Sequence, residues 1–247
     1  MIAACARSDW AQYGAMLHQA LLTAGFLLSA SPAAGDFVLN NLRYTLYHEM
    51  GHAVIDQLAL PIFGPEENAA DSFAFVLADR IHDEATNRAL MEDVAALGRA
   101  HAAEAYFDPW EEYMPDAQRT AWAICIWYGI RPEKRGDLAR ALGMPVGKAR
   151  DCAHAGSVVQ KAWSDVLSSI RPKPGAAETL QAEGRGKALR LLEADIAAVN
   201  TQISLPNPMP LTVEHCGEDN AFYYHHDDRM VICAEMMDAL RDRAAFR

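Results

Sequence analysis

The sequence predicts an α+β fold, a mainly helical body with a small sheet that includes a C-terminal strand pair. Three observations predict it. Apolar residues recur at helical spacing through the first two-thirds of the 247 residues, turn residues cut that pattern into helix-length segments, and beyond Pro210 short β-branched runs replace it. With 51% of its residues apolar the chain can bury a core, and its length suits one domain over 35–247 behind a shorter segment, 1–34.

The first segment has the character of an export signal. Ala20–Ala30 is apolar over the length of a signal core, and the small residues Ser31 and Ala33 suit cleavage near Ala34. Arg7 is the only strong cation ahead of it and Asp9 offsets that charge, so the segment reads either as a signal peptide or as an amphipathic first helix. No stretch is long enough to span a bilayer.

Asp36 can cap a helix in which Val38, Leu42, Leu46, Met50, Val54 and Leu58 form one stripe until Pro61 stops it. Pro65 suits the first position of the next helix, with Glu66 and Glu67 where the helix dipole favours acids, and this helix should run to Ile81. Further helices are expected at Glu84–Tyr106, Asp116–Tyr128, Pro132–Leu142 and Gly147–Ile170, with Trp122, Trp127, Tyr128 and Trp163 in the core. Arg171–Gly175 reads as a linker, and Ala188–Val199 returns to helical spacing. Leu211–Cys216 and Met230–Cys233 read as a β-hairpin or strand pair whose polar connection includes a solvated His225–Asp228 turn, followed by a last helix, Ala234–Ala245.

His48-Glu49-Met50-Gly51-His52 lies inside the first of these helices. Four residues is just over one turn, so both imidazoles leave the same face and can grip Zn2+. Glu49 projects about 100° further round, placed to take a proton from a metal-bound water without binding the metal. Zinc in a catalytic site needs a third protein ligand. Glu67 on the following helix is the best candidate and Glu66 its competitor, while Asp71, one turn beyond Glu67, can accept the other ring N–H of a ligand histidine.

Cys125, Cys152, Cys216 and Cys233 have no metal-type spacing. The simplest oxidised pairing is 125 with 152 and 216 with 233, the alternative being four reduced buried thiols. A formal net charge of -11 repels phosphate backbones and argues against a nucleic-acid partner.

These motifs resemble a bacterial metallopeptidase family catalogued as domain of unknown function four-three-four-four. The resemblance rests on His48–Asp56, Leu60–Asp71, Gln118-Arg119, Cys125, Tyr128-Gly129, Ala149–Cys152 with Trp163, and Cys216–Tyr223 with Val231–Cys233. The paired H-E-x-x-H and E-x-x-A-D elements also resemble those of gluzincin peptidases. One departure is that the Cys216–Tyr223 segment follows the H-E-x-x-H helix here, whereas in many relatives it precedes it.

The resemblance implies a zincin-like fold, a peptide or protein substrate, and a periplasmic or secreted location. Asn220-Ala221-Phe222 is similar to a stretch that leads into a strand beside the active site in prenyl-protease and heat-shock-protease peptidases. Such an edge could hold an extended peptide, and Tyr223 could offer its phenol to the oxyanion. Two readings from other classes stand beside the peptidase: a catalytically silent zinc module and a metal-free helical interaction protein.

Overall fold

The computed structural model describes residues 34–104, 110 and 114–245, all within the compact unit Pro32–Arg247. The expected signal segment 1–34 lies outside the described residues except for Ala34. Helix α1 (Ala34–Gln57) begins two residues before Asp36. Its apolar stripe is the centre of the core, with Leu42, Leu46, Met50 and Val54 fully buried. The helix stops before Pro61 because Ala59 turns to a positive φ of 47° and the Leu60 N–H donates back to the Ile55 carbonyl, which satisfies an orphan acceptor.

Helix α2 (Glu66–Ile81) returns against α1, with Pro65 one position earlier than expected, at the cap. Next come α3 (Glu84–Glu104), α4 (Asp116–Ile130), α5 (Pro132–Ala141) and α6 (Ala149–Ser169), the last entered through a 3-10 turn at Val146–Lys148. The Cys125–Cys152 disulfide joins α4 to α6. One turn along each helix, a Cβ on Gly129 would lie 2.8 Å from Gly156 Cα, so the backbones cross there with no room for side chains. Trp127, Tyr128 and Trp163 are buried as expected, and Trp122 packs half-buried against the core.

Beyond the linker the expected single helix is two, α7 (Lys187–Leu191) and α8 (Glu193–Gln202). They follow β1 (Leu180–Ala182), whose three residues were too short to show an alternating pattern. The sheet adds β2 (Met209–Glu214), β3 (Ala221–Tyr224) and β4 (Arg229–Cys233), and α9 (Ala234–Ala244) closes the fold. Strand order is β1-β2-β4-β3.

The expected hairpin between Leu211–Cys216 and Met230–Cys233 is corrected here, because β2 and β4 pair in parallel. The antiparallel partner of β4 is β3, an edge strand inside what read as a polar connection. Its hairpin turn is His225–Asp228, where both histidines are exposed. The Cys216–Cys233 disulfide ties the loop ahead of β3 to the end of β4. The structure is thus α+β, mainly helical with one small mixed sheet.

A buried ion cluster fixes α1 relative to α8. Asp195 accepts hydrogen bonds from Arg43 Nε at 2.6 Å and Tyr47 Oη at 2.6 Å, and His82 Nε2 lies 3.1 Å away. Burial alone would raise the Asp195 pKa, but hydrogen bonds from His82, Arg43 and Tyr47 outweigh it and hold the group at about 2. A depressed carboxyl pKa adds stability above its unfolded value of about 4, and loses it as pH falls through the folded value. Asp195→Ala, which strands the Arg43 charge, should cost about 3–5 kcal/mol in denaturant unfolding at neutral pH. The gap from wild type should narrow between about pH 4 and about pH 2, and a pH-independent gap would show that the ion pairs are not its source.

Candidate metal centre

The site begins where α1 and α2 touch. A Cβ on Gly51 would lie 2.8 Å from Ala70 Cα, so the missing side chain sets how closely α2 approaches the face carrying His48 and His52. Across that contact Glu67 reaches both imidazoles. Its Oε2 lies 3.1 Å from His48 Nε2 and its Oε1 3.4 Å from His52 Nε2, while the two Nε2 atoms are 3.1 Å apart. Among the described residues, His48, His52 and Glu67 form a group able to hold a metal ion, with one ligand atom from each within 4.8 Å of the others.

Each histidine has a carboxylate behind it. Asp71 Oδ1 lies 2.8 Å from His48 Nδ1, although the angle leaves that nitrogen without a well-formed hydrogen bond. Glu66 Oε1 lies 2.8 Å from His52 Nδ1. The geometry therefore separates the two adjacent acids, with Glu67 at the cluster and Glu66 behind His52. Asp71 also accepts from Tyr44 and Arg119. Tyr44 went unremarked in the sequence, although it sits one turn before His48 on the same face; Arg119 stood out only through the family resemblance.

The donor set fits a cation. Both Nδ1 atoms face carboxylates, the two Nε2 atoms face each other, and the buried Glu67 Oε2 has no well-formed hydrogen bond. Such a cluster is stable only with positive charge among its atoms. Burial opposes charging His48, yet Asp71 and Glu67 overcome it and raise its pKa to about 9. His52 is raised in the same way, by Glu67 against burial. Glu67 and Asp71 are held far below the usual carboxylate range despite their burial, Glu67 by the two histidines and Asp71 by Arg119 and His48.

Glu49 is 6% exposed, and burial raises its pKa. It lines a cleft of about 190 Å3 with Tyr44, His48, His101, Arg119 and Asn220. A larger, mostly apolar cavity of about 610 Å3 lies at the α4–α6 disulfide and touches none of the three clustered residues.

The edge strand meets this site through its backbone. The Cys233 N–H donates to the Asn220 carbonyl, so by alternation the Ala221 and Tyr223 main-chain groups face away from β4. On that side the Tyr223 main-chain N–H lies near enough to Glu49 to offset a small part of the effect of burial on its carboxyl. Its phenol is placed otherwise than expected, donating to Asp56 at 2.9 Å and Asp228 at 2.8 Å and to no member of the metal cluster. Asp56 stands one turn beyond His52 on α1, so the phenol meets that helix away from the clustered residues.

A family model described as "Putative metallopeptidase" (domain of unknown function 4344) matches residues 19–167 and 174–246. The chain belongs to this family. Both the α1–α2 cluster and the Cys216–Cys233 region lie inside the matched residues, and the match reaches upstream of Asp36. No curated protein and no solved structure matches the chain. No helix among the described residues is long and apolar enough to cross a membrane.

Gly51→Ala tests the contact on which the cluster depends. Replacing a helical glycine gains about 1 kcal/mol, while forcing a methyl against backbone costs about 1–3 kcal/mol. A net loss on the order of 1 kcal/mol is expected in denaturant unfolding. A variant more stable than wild type would mean that α2 can yield without cost.

Proposed function

We propose that the chain is a zinc-dependent peptidase in which His48, His52 and Glu67 bind the metal and Glu49 is the general base. One observation carries this reading: two imidazole Nε2 atoms 3.1 Å apart converge on the Glu67 carboxylate, beside a buried glutamate on the wall of a cleft. Two nitrogens and one carboxylate would hold zinc with room left for a water or substrate oxygen, as hydrolysis requires. Bound there, zinc supplies Lewis acidity that polarises a peptide carbonyl and eases the deprotonation of water.

The chain's own residues do the rest. Asp71 and Glu66 orient the two rings so that both Nε2 lone pairs face the same point. Glu49, its pKa raised by burial, takes the proton of the attacking water and passes it to the leaving amine. The Tyr223 main-chain N–H lies on the Glu49 side of β3. The substrate is a peptide or protein, and the charge of -11 disfavours nucleic acid. Disulfides at Cys125–Cys152 and Cys216–Cys233, with the apolar run Ala20–Ala30, support an exported enzyme working in an oxidising compartment.

Purified protein should carry about one zinc per chain, by the ligand arithmetic of such sites. His52→Ala should lose it, Glu67→Ala should lose far more affinity than Glu66→Ala, and acidification should release it as protons claim the ligands. Glu49→Gln should keep zinc and lose at least about 100-fold in peptide hydrolysis. Wild-type turnover by that variant would exclude Glu49 as the base, and undiminished zinc in His52→Ala would exclude the ligand set.

A further inference from the structure

We propose that Arg119 and Tyr44 are positioning residues of the metal centre, acting on His48 through Asp71; this rests on the zinc reading above. Asp71 is 1% exposed, and its carboxylate is gripped from two helices. Arg119, in the first turn of α4, donates Nε to Oδ2 at 2.7 Å and Nη2 to Oδ1 at 2.7 Å. Tyr44, one turn before His48 on α1, donates its hydroxyl to Oδ1 at 2.6 Å.

A bidentate guanidinium fixes the plane of a carboxylate as well as its position. With the phenol added, Asp71 has one available orientation, in which Oδ1 stands 2.8 Å from His48 Nδ1. That contact turns the far nitrogen of the ring, Nε2, toward His52 and Glu67. The imidazole is thus aimed by an arginine on a helix that supplies no ligand.

The second histidine is held differently. Its partner Glu66 has a side chain 37% exposed and meets it through one oxygen. A solvated carboxylate can swing away at little cost, whereas Asp71 is held by its own donors close behind His48. Within the family resemblance, Gln118-Arg119 had no role, and the Asp71 clamp supplies one for the arginine.

The probe is zinc alone, titrated into metal-stripped full-length protein against a competing chelator, with the unfolding midpoint of the metal-free form measured in parallel. Arg119→Gln should weaken zinc binding by about 10–100-fold, the usual effect of losing a group that orients a ligand. Arg119→Lys, which keeps the charge but not the fork, should recover only part of that affinity. Glu66→Gln should cost less than Arg119→Gln.

A merely structural arginine would lower the midpoint and leave the zinc constant of the folded protein unchanged, which would overturn the proposal. If Arg119→Gln does not fold, Tyr44→Phe decides. It keeps the ring against Phe75, with ring centroids 5.2 Å apart, and removes only the hydroxyl. Weaker zinc binding by Tyr44→Phe supports the clamp, and wild-type affinity overturns it. Wild-type protein that binds no zinc would instead refute the metal reading itself, a separate outcome.

Discussion

Two ring nitrogens and a carboxylate oxygen sit within about hydrogen-bond distance of one another in a largely buried place. Burial penalises that carboxylate unless positive charge, a proton or a metal ion, sits among the three atoms. The surrounding structure supplies what is needed to hold it. Gly51 and Ala70 bring two helices into backbone contact, which sets Glu67 between His48 and His52. Asp71 and Glu66 then sit behind the rings, facing their Nδ1 atoms.

The same contacts explain why the rest of the fold is arranged around α1. One side of the helix is bound to α8 by the Asp195 cluster, and the other carries the histidines. Arg119 ties α4 to the back of the site through Asp71. The edge strand β3 lies against α1, with the Tyr223 main chain on the Glu49 side. The Cys216–Cys233 disulfide secures the loop that feeds this strand.

Much of the site was legible in the chain because helical spacing is local. His48 and His52 share a face by arithmetic alone, and Glu67 and Asp71 do so on the next helix. The pairing of four cysteines also followed from order along the chain. Legibility failed where the answer depended on how elements meet. Leu211–Cys216 and Met230–Cys233 have strand composition, but composition does not state direction, and their parallel pairing needs β3 to come between them in sequence and beyond β4 in space. Asn220–Tyr224 was half read, because its resemblance pointed to a strand while its polar neighbours pointed to a loop.

By itself the sequence determined most of the helices and which candidate side chains share a face, His48 with His52 and Glu67 with Asp71, since each pair lies one turn apart. Tertiary structure decided the roles that depend on a crossing angle. Glu66 and Glu67 are adjacent and chemically alike, and only the approach of α2 to α1 assigns one to the cluster and the other to the back of His52. Strand alternation turns the Tyr223 main chain of β3 toward Glu49, while its phenol reaches Asp56 and Asp228. Arg119 joins the site from a helix that no local pattern links to it. Sequence periodicity fixes which side chains share a face, but which faces meet is set by packing between elements far apart in the chain.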